Sequence, residues 1–119
     1  MKKRVLLADD EKNFLDLVKE ELETEDYEVV AAADGVEAVI KAIDGYDIAL
    51  LDIMMPNLDG ISTTRILKRM NPDKPVVVFS GVAGSNDVAR AVEVGAEKCL
   101  TKPFSVKQLM TDIEKALRG

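Results

Sequence analysis

Short apolar runs alternate with segments of helical periodicity along this chain, and that alternation constrains the fold more than any other feature. Residues 5–8, 48–51 and 76–79 are apolar throughout and are bounded by charged, proline or turn residues. An apolar run of this length between turn signals indicates a strand buried on both faces. Regular alternation of strands and helices favours a parallel sheet with helices on both faces and right-handed crossovers. We therefore predict an α/β fold of five strand–helix units.

The other two strands and the helices follow from weaker patterns. Residues 28–33 are less apolar and are placed at an edge of the sheet, and residues 98–101 form a short fifth strand. Helix starts are expected at the capping residues Asp34, Asp59, Ser85 and Ser105. The apolar stripes of the middle three helices are Val36, Val39, Ile40 and Ile43; Ile66, Leu67 and Met70; and the thin set Val88, Ala91 and Val92.

Composition sets limits on the class of protein. The 119 residues fit a single domain, 1–119, with no low-complexity linker. A net charge of −6 argues against a nucleic-acid-binding surface. The single cysteine, Cys99, cannot form an internal disulfide, which is typical of a reducing compartment. No apolar stretch approaches the roughly 20 residues of a membrane span, and the run after Arg4 is too short for a signal peptide. We expect a cytoplasmic domain that binds neither nucleic acid nor membrane.

Polar residues follow four of the five predicted strands. Asp9 and Asp10 follow the first strand, Asp52 the third, Ser80 the fourth and Lys102 the fifth. All strands of a parallel sheet end at the same edge, so the spatial order 2-1-3-4-5 would make these four strand ends adjacent and place the inert second strand outside them. The same order makes the first and third strands the switch point at which ligands bind. The placement of the polar residues therefore favours that order.

Three carboxylates at one edge have a chemical consequence. Two like charges about 4 Å apart repel by roughly 1 kcal/mol in water and roughly 4 kcal/mol at an effective dielectric near 20. Such a cluster raises a pKa or binds a cation, and its oxygen-only ligands suit Mg²⁺, Mn²⁺ or Ca²⁺ rather than zinc. A carboxylate, a metal, a lysine and a hydroxyl around one pocket can handle a phosphoryl group, with the carboxylate as the nucleophile.

Several of these residues also have an ordinary structural interpretation. An aspartate before a helix is most often an N-cap, and this applies to Asp10, Asp34 and Asp59. Asp52 caps nothing obvious, because the next helix begins several residues later. Cys99 is interpreted as a small buried hydrophobe. The weight of the functional interpretation lies in the conjunction of polar groups at one edge.

Four short motifs resemble those of the response-regulator receiver domain of two-component signalling. They are VLLADDE at 5–11, LDIMMP at 51–56 with DG at 59–60, FSG at 79–81 and LTKPF at 100–104. The resemblance covers almost the whole chain and implies a flavodoxin-like (βα)5 fold with a parallel sheet in the order 2-1-3-4-5. Receiver domains are themselves a known case of that order.

The resemblance also implies a phosphoacceptor and a metal site. Asp52 would accept the phosphoryl group of a phosphohistidine on a sensor histidine kinase or phosphotransfer protein. Asp10, Asp52 and the backbone carbonyl of Met54 would ligate Mg²⁺ directly, and Asp9 would act through water. Apolar side chains of Met54 and Val82 are expected to flank the phosphoryl group and slow its hydrolysis.

The remaining implied roles concern switching. Lys102 would pair with the phosphoryl group or with the Asp52 carboxylate. The peptide bond between Lys102 and Pro103 is cis in the family. Ser80 would turn its hydroxyl towards a phosphoryl oxygen. Cys99 stands where the family usually has an aromatic residue, so readout is expected through backbone shifts in the loops after the third and fourth strands. Helix four, strand five and helix five are the expected output surface for a downstream protein or domain.

The expected function is a phosphorylation-activated switch, which at most catalyses its own phosphorylation and dephosphorylation and is not otherwise an enzyme. The sequence leaves alternatives to this function. A degenerate receiver could serve only as a docking module. A phosphatase of the haloacid-dehalogenase type would need an Asp-x-Asp motif after the first strand, where this chain has Asp9-Asp10-Glu11. A flavodoxin-like mononucleotide binder would need a loop rich in hydroxyl residues or glycine there. The cognate kinase, the output target and homodimerisation stay open.

Overall fold

A computed structural model describes residues 2–81 and 86–119 of the chain. Within these residues, strands and helices alternate five times, as predicted. The strands are β1 (Arg4–Ala8), β2 (Glu28–Ala32), β3 (Ile48–Asp52), β4 (Val76–Ser80) and β5 (Lys98–Thr101). The helices are α1 (Lys12–Thr24), α2 (Gly35–Ala42), α3 (Gly60–Met70), α4 (Asp87–Glu93) and α5 (Val106–Arg118). Val82 and Ser85, which were assigned a flanking and a capping role, lie outside the described residues.

The five strands form one parallel sheet in the order β2-β1-β3-β4-β5, which confirms the predicted order and the edge position of β2. Helices cover both faces, so β3 and β4 are buried at every residue. The register places Asp52 opposite Phe79 and Ser80 opposite Thr101. The residues that end β1, β3, β4 and β5 therefore share one edge of the sheet.

The core has two layers, one on each face of the sheet. Successive residues of a strand point to opposite faces. Leu6 accordingly packs in the layer covered by α2, α3 and α4, and Leu7 packs in the layer covered by α1 and α5. Within the described residues, no helix combines the length and apolar character that crossing a bilayer requires.

Helix α2 buries a different face from its predicted apolar stripe. Its buried residues include Ala38 and Ala42, whereas Val36, Ile40 and Ile43 are exposed. The physical reason is close approach, since a Cβ added at Gly35, the first residue of α2, would overlap the backbone of the loop before α3. Small residues on this face allow α2 to lie close to its neighbours, and the larger aliphatic residues are left outside.

Helix α3 also differs from its predicted apolar stripe. Leu67 is fully buried as expected, but Ile66 and Met70 are partly exposed and Thr63 and Thr64 are buried instead. Each threonine hydroxyl donates a hydrogen bond to the backbone carbonyl four residues earlier, at 2.8 Å and 2.7 Å. Polar side chains satisfied in this way can face a core without the cost of an unpaired hydroxyl.

Helix α4 is the most weakly anchored of the described helices. Ala91 is its one buried residue, while Val88 and Val92 have exposed fractions of 51% and 59%. The expectation of a thin apolar face on this helix is confirmed, although two of the three residues assigned to it face solvent.

Helix starts follow the predicted capping pattern in three places. The side chains of Asp34, Asp59 and Ser105 each accept a hydrogen bond from the backbone amide three residues later, at 2.8 Å to 3.0 Å. Asp10 is not a cap, because the N-cap of α1 is Glu11. Asp9, Asp10 and Asp52 thus lie at the carboxyl edge without a helix-capping role.

Candidate functional site

The structure brings together the three aspartates at the carboxyl ends of β1 and β3. Carboxylate oxygens of Asp9, Asp10 and Asp52 all lie within 4.8 Å of one another. Asp9 is fully buried and Asp52 is only 7% exposed, whereas Asp10 is exposed to solvent. The Oδ1 atom of Asp9 accepts a hydrogen bond from the backbone amide of Glu11 at 2.9 Å, and that of Asp52 accepts one from the amide of Met54 at 3.4 Å. Because backbone amides are neutral, these hydrogen bonds do not balance the charge of the carboxylates, and the cluster keeps an excess of negative charge.

Lys102 places a positive charge beside this cluster. Its Nζ lies 2.9 Å from Oδ2 of Asp9 and 3.5 Å from Oδ2 of Asp52. The amine also lies 4.1 Å from the ring centroid of Phe14, a cation–π contact that holds it over the pocket. The Lys102–Pro103 peptide bond is cis. Lys102 pairs with two of the three clustered carboxylates, so the site retains a net negative charge that suits a divalent cation.

Lys102 packs against a cluster of three phenylalanines through the ring of Phe14. The ring of Phe14 packs edge-on against those of Phe79 and Phe104, with centroid distances of 6.0 Å and 5.9 Å, and Phe79 and Phe104 lie 5.0 Å apart. From the sequence, Phe14 is one member of the apolar face of α1. Helical periodicity identifies a core position but gives no sign that the ring also contacts an ammonium.

The loop between β3 and α3 is held tightly against the sheet. A Cβ at Gly60 would overlap the backbone carbonyl of Asp52, so this position has room only for glycine. The amide of Gly60 donates to the carbonyl of Ile53 at 2.8 Å. Asn57 adopts a positive φ of 69° and its side-chain amide donates to Oδ2 of Asp34 at 2.8 Å. The loop that carries the Met54 carbonyl is therefore fixed to the start of α2.

Burial and charge shift the pKa values of two groups in the pocket. Burial, reinforced by the negative charge of Asp9, raises the pKa of Asp52 to about 6, against the opposing effect of Lys102. Burial alone would lower the pKa of Lys102, but its hydrogen bond to Asp9 and the charges of both carboxylates raise it above the ordinary value. Lys102 is therefore protonated at neutral pH, and ionised Asp52 is held at a cost in folding free energy.

That cost predicts how the stability of the chain without Mg²⁺ depends on pH. The folded-state pKa of Asp52 lies above its ordinary value of 3.8, so folding is favoured by protonation of this group and its contribution is lost as pH rises through about 6. In EDTA, Asp52→Asn is expected to raise the free energy of unfolding by roughly 1–3 kcal/mol near pH 8, and by almost nothing near pH 4.

Urea denaturation at both pH values measures the difference. The matched control is Asp73→Asn, at an exposed position outside the pocket, which should change stability little at either pH. A stability gain for Asp52→Asn that is the same at both pH values would contradict the electrostatic explanation.

Ser80 ends β4 at the same edge, but its hydroxyl is engaged elsewhere. Ser80 is 2% exposed, and its Oγ donates a hydrogen bond to Oδ2 of Asp87 at 2.7 Å. Asp87 is the first residue of α4, and nothing in the sequence motifs singled it out. Cys99, at the usual aromatic position, is half-buried against the layer of α2 to α4. Burial, and then the charge of Asp87, raise the pKa of the Cys99 thiol.

Comparison with known proteins places these features in context. A sequence profile described as the response regulator receiver domain matches residues 5–114. The chain is 34% identical over 119 residues to the alkaline phosphatase synthesis transcriptional regulatory protein PhoP of Bacillus subtilis, covering 99% of this chain and 50% of PhoP. It is 36% identical over 115 residues to the transcriptional regulatory protein CpxR of Escherichia coli, covering 97% of this chain and 49% of CpxR. The chain thus spans about half the length of these curated relatives.

Solved structures agree with the sequence relatives. The receiver domain of the Francisella response regulator 1452 superposes with a TM-score of 0.89 at 33% identity, covering 98% of both chains. A CheY-like response regulator receiver domain protein from Methanospirillum hungatei superposes with a TM-score of 0.92 at 28% identity, covering 99% of this chain and 95% of the other.

Proposed function

The chain belongs to the response-regulator receiver family of two-component systems, and from that premise we propose that it is a phosphorylation-activated switch with Asp52 as the phosphoacceptor. The donor would be a phosphohistidine on a sensor histidine kinase or a phosphotransfer protein. The observation that carries the proposal is the pocket in which Asp9, Asp10 and Asp52 converge within 4.8 Å beside Lys102.

The donor set of this pocket fits Mg²⁺. All candidate side-chain ligands are carboxylate oxygens, and Mg²⁺ commonly takes one or two carboxylates together with waters and phosphate oxygens. Asp10, Asp52 and the Met54 carbonyl would bind the ion directly, and Asp9 would act through water. When bound, Mg²⁺ supplies positive charge against the oxygens of the transferring phosphoryl group.

The protein residues divide the work of transfer between them. An oxygen of Asp52 attacks the phosphorus, a new O–P bond forms, and the bond from phosphorus to the donor nitrogen breaks. Lys102, held by Asp9 at 2.9 Å, places its ammonium where negative charge develops on the phosphoryl oxygens. Ser80 then donates its hydroxyl to one of those oxygens. In this reaction the chain is itself the group that is modified. The product is therefore a signalling state of the chain rather than a released product of substrate turnover.

The downstream surface is proposed to be formed by α4, β5 and α5, through which an output protein or domain would read the phosphorylated state. This agrees with the weak anchoring of α4, whose residues Val88 and Val92 are exposed. An element with few buried contacts is readily displaced by a change at the neighbouring strand end. The cytoplasm, where the partner kinases present their phosphohistidines, is the proposed location.

Incubation with acetyl phosphate and Mg²⁺, followed by intact-mass measurement, tests this proposal. The native chain is expected to gain the mass of one HPO₃ group, and the gain should disappear in excess EDTA. Asp52→Asn, which retains the shape of the side chain but not the nucleophile, is expected to gain nothing. A native chain that stays unmodified would contradict the proposal and favour the docking-module alternative.

A further inference from the structure

Asp87 holds the hydroxyl that the switch requires. The Ser80 Oγ donates to Oδ2 of Asp87 at 2.7 Å, and both side chains are shielded, with Ser80 2% exposed and the Asp87 side chain 15% exposed. A hydroxyl donating to a carboxylate forms one of the stronger classes of hydrogen bond in proteins. The bond joins the end of β4 to the first residue of α4, across the intervening loop.

The Asp87 carboxylate has two further interactions, one within α4 and one with β5. Its Oδ1 faces the guanidinium of Arg90 at 3.3 Å, one turn along α4. Its charge also acts on the Cys99 thiol of β5, whose pKa it helps to raise. The carboxylate therefore acts electrostatically on the position where the family usually has an aromatic side chain, and it contacts the Ser80 hydroxyl directly.

Little else among the described residues fixes the start of α4. The helix has seven residues, one of them buried, and its N-cap Asn86 makes no side-chain capping hydrogen bond. Among the described residues, the Ser80–Asp87 hydrogen bond is a direct side-chain link between the first turn of α4 and the sheet. An element attached in this way opens at a lower free energy than the core strands do.

A hydroxyl group has one proton to donate. Ser80 can donate it to the Asp87 carboxylate or to a phosphoryl oxygen on Asp52, but not to both. We propose that Asp87 is a positioning residue: it holds the Ser80 hydroxyl in the unmodified chain, and phosphorylation exchanges this acceptor for a phosphoryl oxygen and releases the start of α4. The exchange couples the pocket to α4 without an aromatic side chain at position 99. The release by phosphorylation rests on the proposed function, whereas the hold on α4 in the unmodified chain does not.

Two variants separate the bond from the fold. Asp87→Ala removes the acceptor, and Asp87→Asn is the matched control because its amide oxygen can still accept from Ser80. Beryllofluoride with Mg²⁺ serves as the phosphoryl mimic, and its titration midpoint is read from amide NMR spectra. In Asp87→Ala, no carboxylate competes for the Ser80 hydroxyl, so the beryllofluoride concentration at the titration midpoint is expected to fall about ten-fold. The midpoint for Asp87→Asn is expected to stay within about three-fold of that for the native chain.

Hydrogen exchange of the unmodified chain supplies a second readout. Amides of residues 86–95 are expected to exchange about ten-fold faster in Asp87→Ala than in the native chain, with little change in Asp87→Asn. Ser80→Ala should also speed exchange in these residues, and its effect should be mostly absent in the Asp87→Ala background, because both changes remove the Ser80–Asp87 hydrogen bond. If Asp87→Ala proves too unstable to titrate, hydrogen exchange of Ser80→Ala still tests whether the Ser80–Asp87 bond holds α4.

The outcomes distinguish the two proposals. If the native chain does not bind beryllofluoride, the proposed phosphoacceptor function fails, and the exchange comparison still decides whether Asp87 holds α4. If the native chain binds it but Asp87→Ala has the native midpoint and native exchange in α4, the role assigned to Asp87 is wrong. Equal effects of Asp87→Ala and Asp87→Asn would also overturn it, because the loss would then come from charge rather than from the acceptor.

Discussion

Replacing Lys102 with alanine is expected to slow phosphorylation of Asp52 by acetyl phosphate at least about 100-fold, the usual cost of removing one group that stabilises transition-state charge. The Lys102 amine lies 2.9 Å from Asp9 and 3.5 Å from Asp52, beside the oxygens that would gain negative charge in the proposed transfer. The initial rate of mass gain, measured with saturating Mg²⁺, reports the effect directly.

The matched control is Lys98→Ala. Lys98 is the first residue of β5, the strand that Lys102 follows, and it pairs with Asp112 at 3.1 Å, away from the carboxyl edge. Its loss should change the rate by less than about two-fold, because a distant exposed charge is screened. Urea denaturation checks that Lys102→Ala remains folded despite the loss of the ion pair with Asp9. Equal rates for the two lysine variants would show that the amine of Lys102 has no part in transfer.

The second large effect concerns the metal. Asp10→Asn is expected to weaken Mg²⁺ binding about 100-fold, since even an outer partner of a metal ligand costs 10–100-fold. Asp10 is exposed, so the substitution should leave the fold intact. The change removes one of three converging carboxylates and reduces the negative charge that attracts the ion. Titration with Mg²⁺ followed by amide NMR measures the affinity, and phosphorylation at limiting Mg²⁺ should fall in proportion.

Asp16→Asn provides the comparison for this experiment. Asp16 is an exposed acid on α1 that pairs with Lys12 at 2.9 Å, outside the pocket. It removes the same formal charge without removing a candidate ligand. An affinity loss of similar size in both variants would attribute the effect to net charge and would contradict the proposed coordination by Asp10.

The strand order could be predicted because two features of the sequence favour it, although neither alone proves it. Fully apolar runs at 48–51 and 76–79 indicate strands buried on both faces, and the polar residues after four strands favour placing those strands side by side. The helix caps at Asp34, Asp59 and Ser105 were also predictable, because they depend on contacts within one turn. Local geometry and the chemistry of strand ends are short-range information.

The features that were missed depend on contacts between distant segments. The apolar stripe of α2 predicts that Ile40 faces inward, but small residues at Ala38 and Ala42 allow a closer approach on another face. Periodicity gives the direction of a stripe and not the depth at which a helix packs. The contact of Asp87 with Ser80 joins α4 to β4 across a loop, and no spacing rule specifies it.

The proposed carrier of the phosphoryl group is the side chain of Asp52 and no other. An acyl phosphate on aspartate is reduced by sodium borohydride to an alcohol, which converts the residue to homoserine and marks its position permanently. After treatment with acetyl phosphate, Mg²⁺ and then borohydride, tandem mass spectrometry of the digested chain is expected to find homoserine at position 52 alone. Homoserine at position 9 or 10, or at no position in a chain that has gained phosphate, would contradict the assignment.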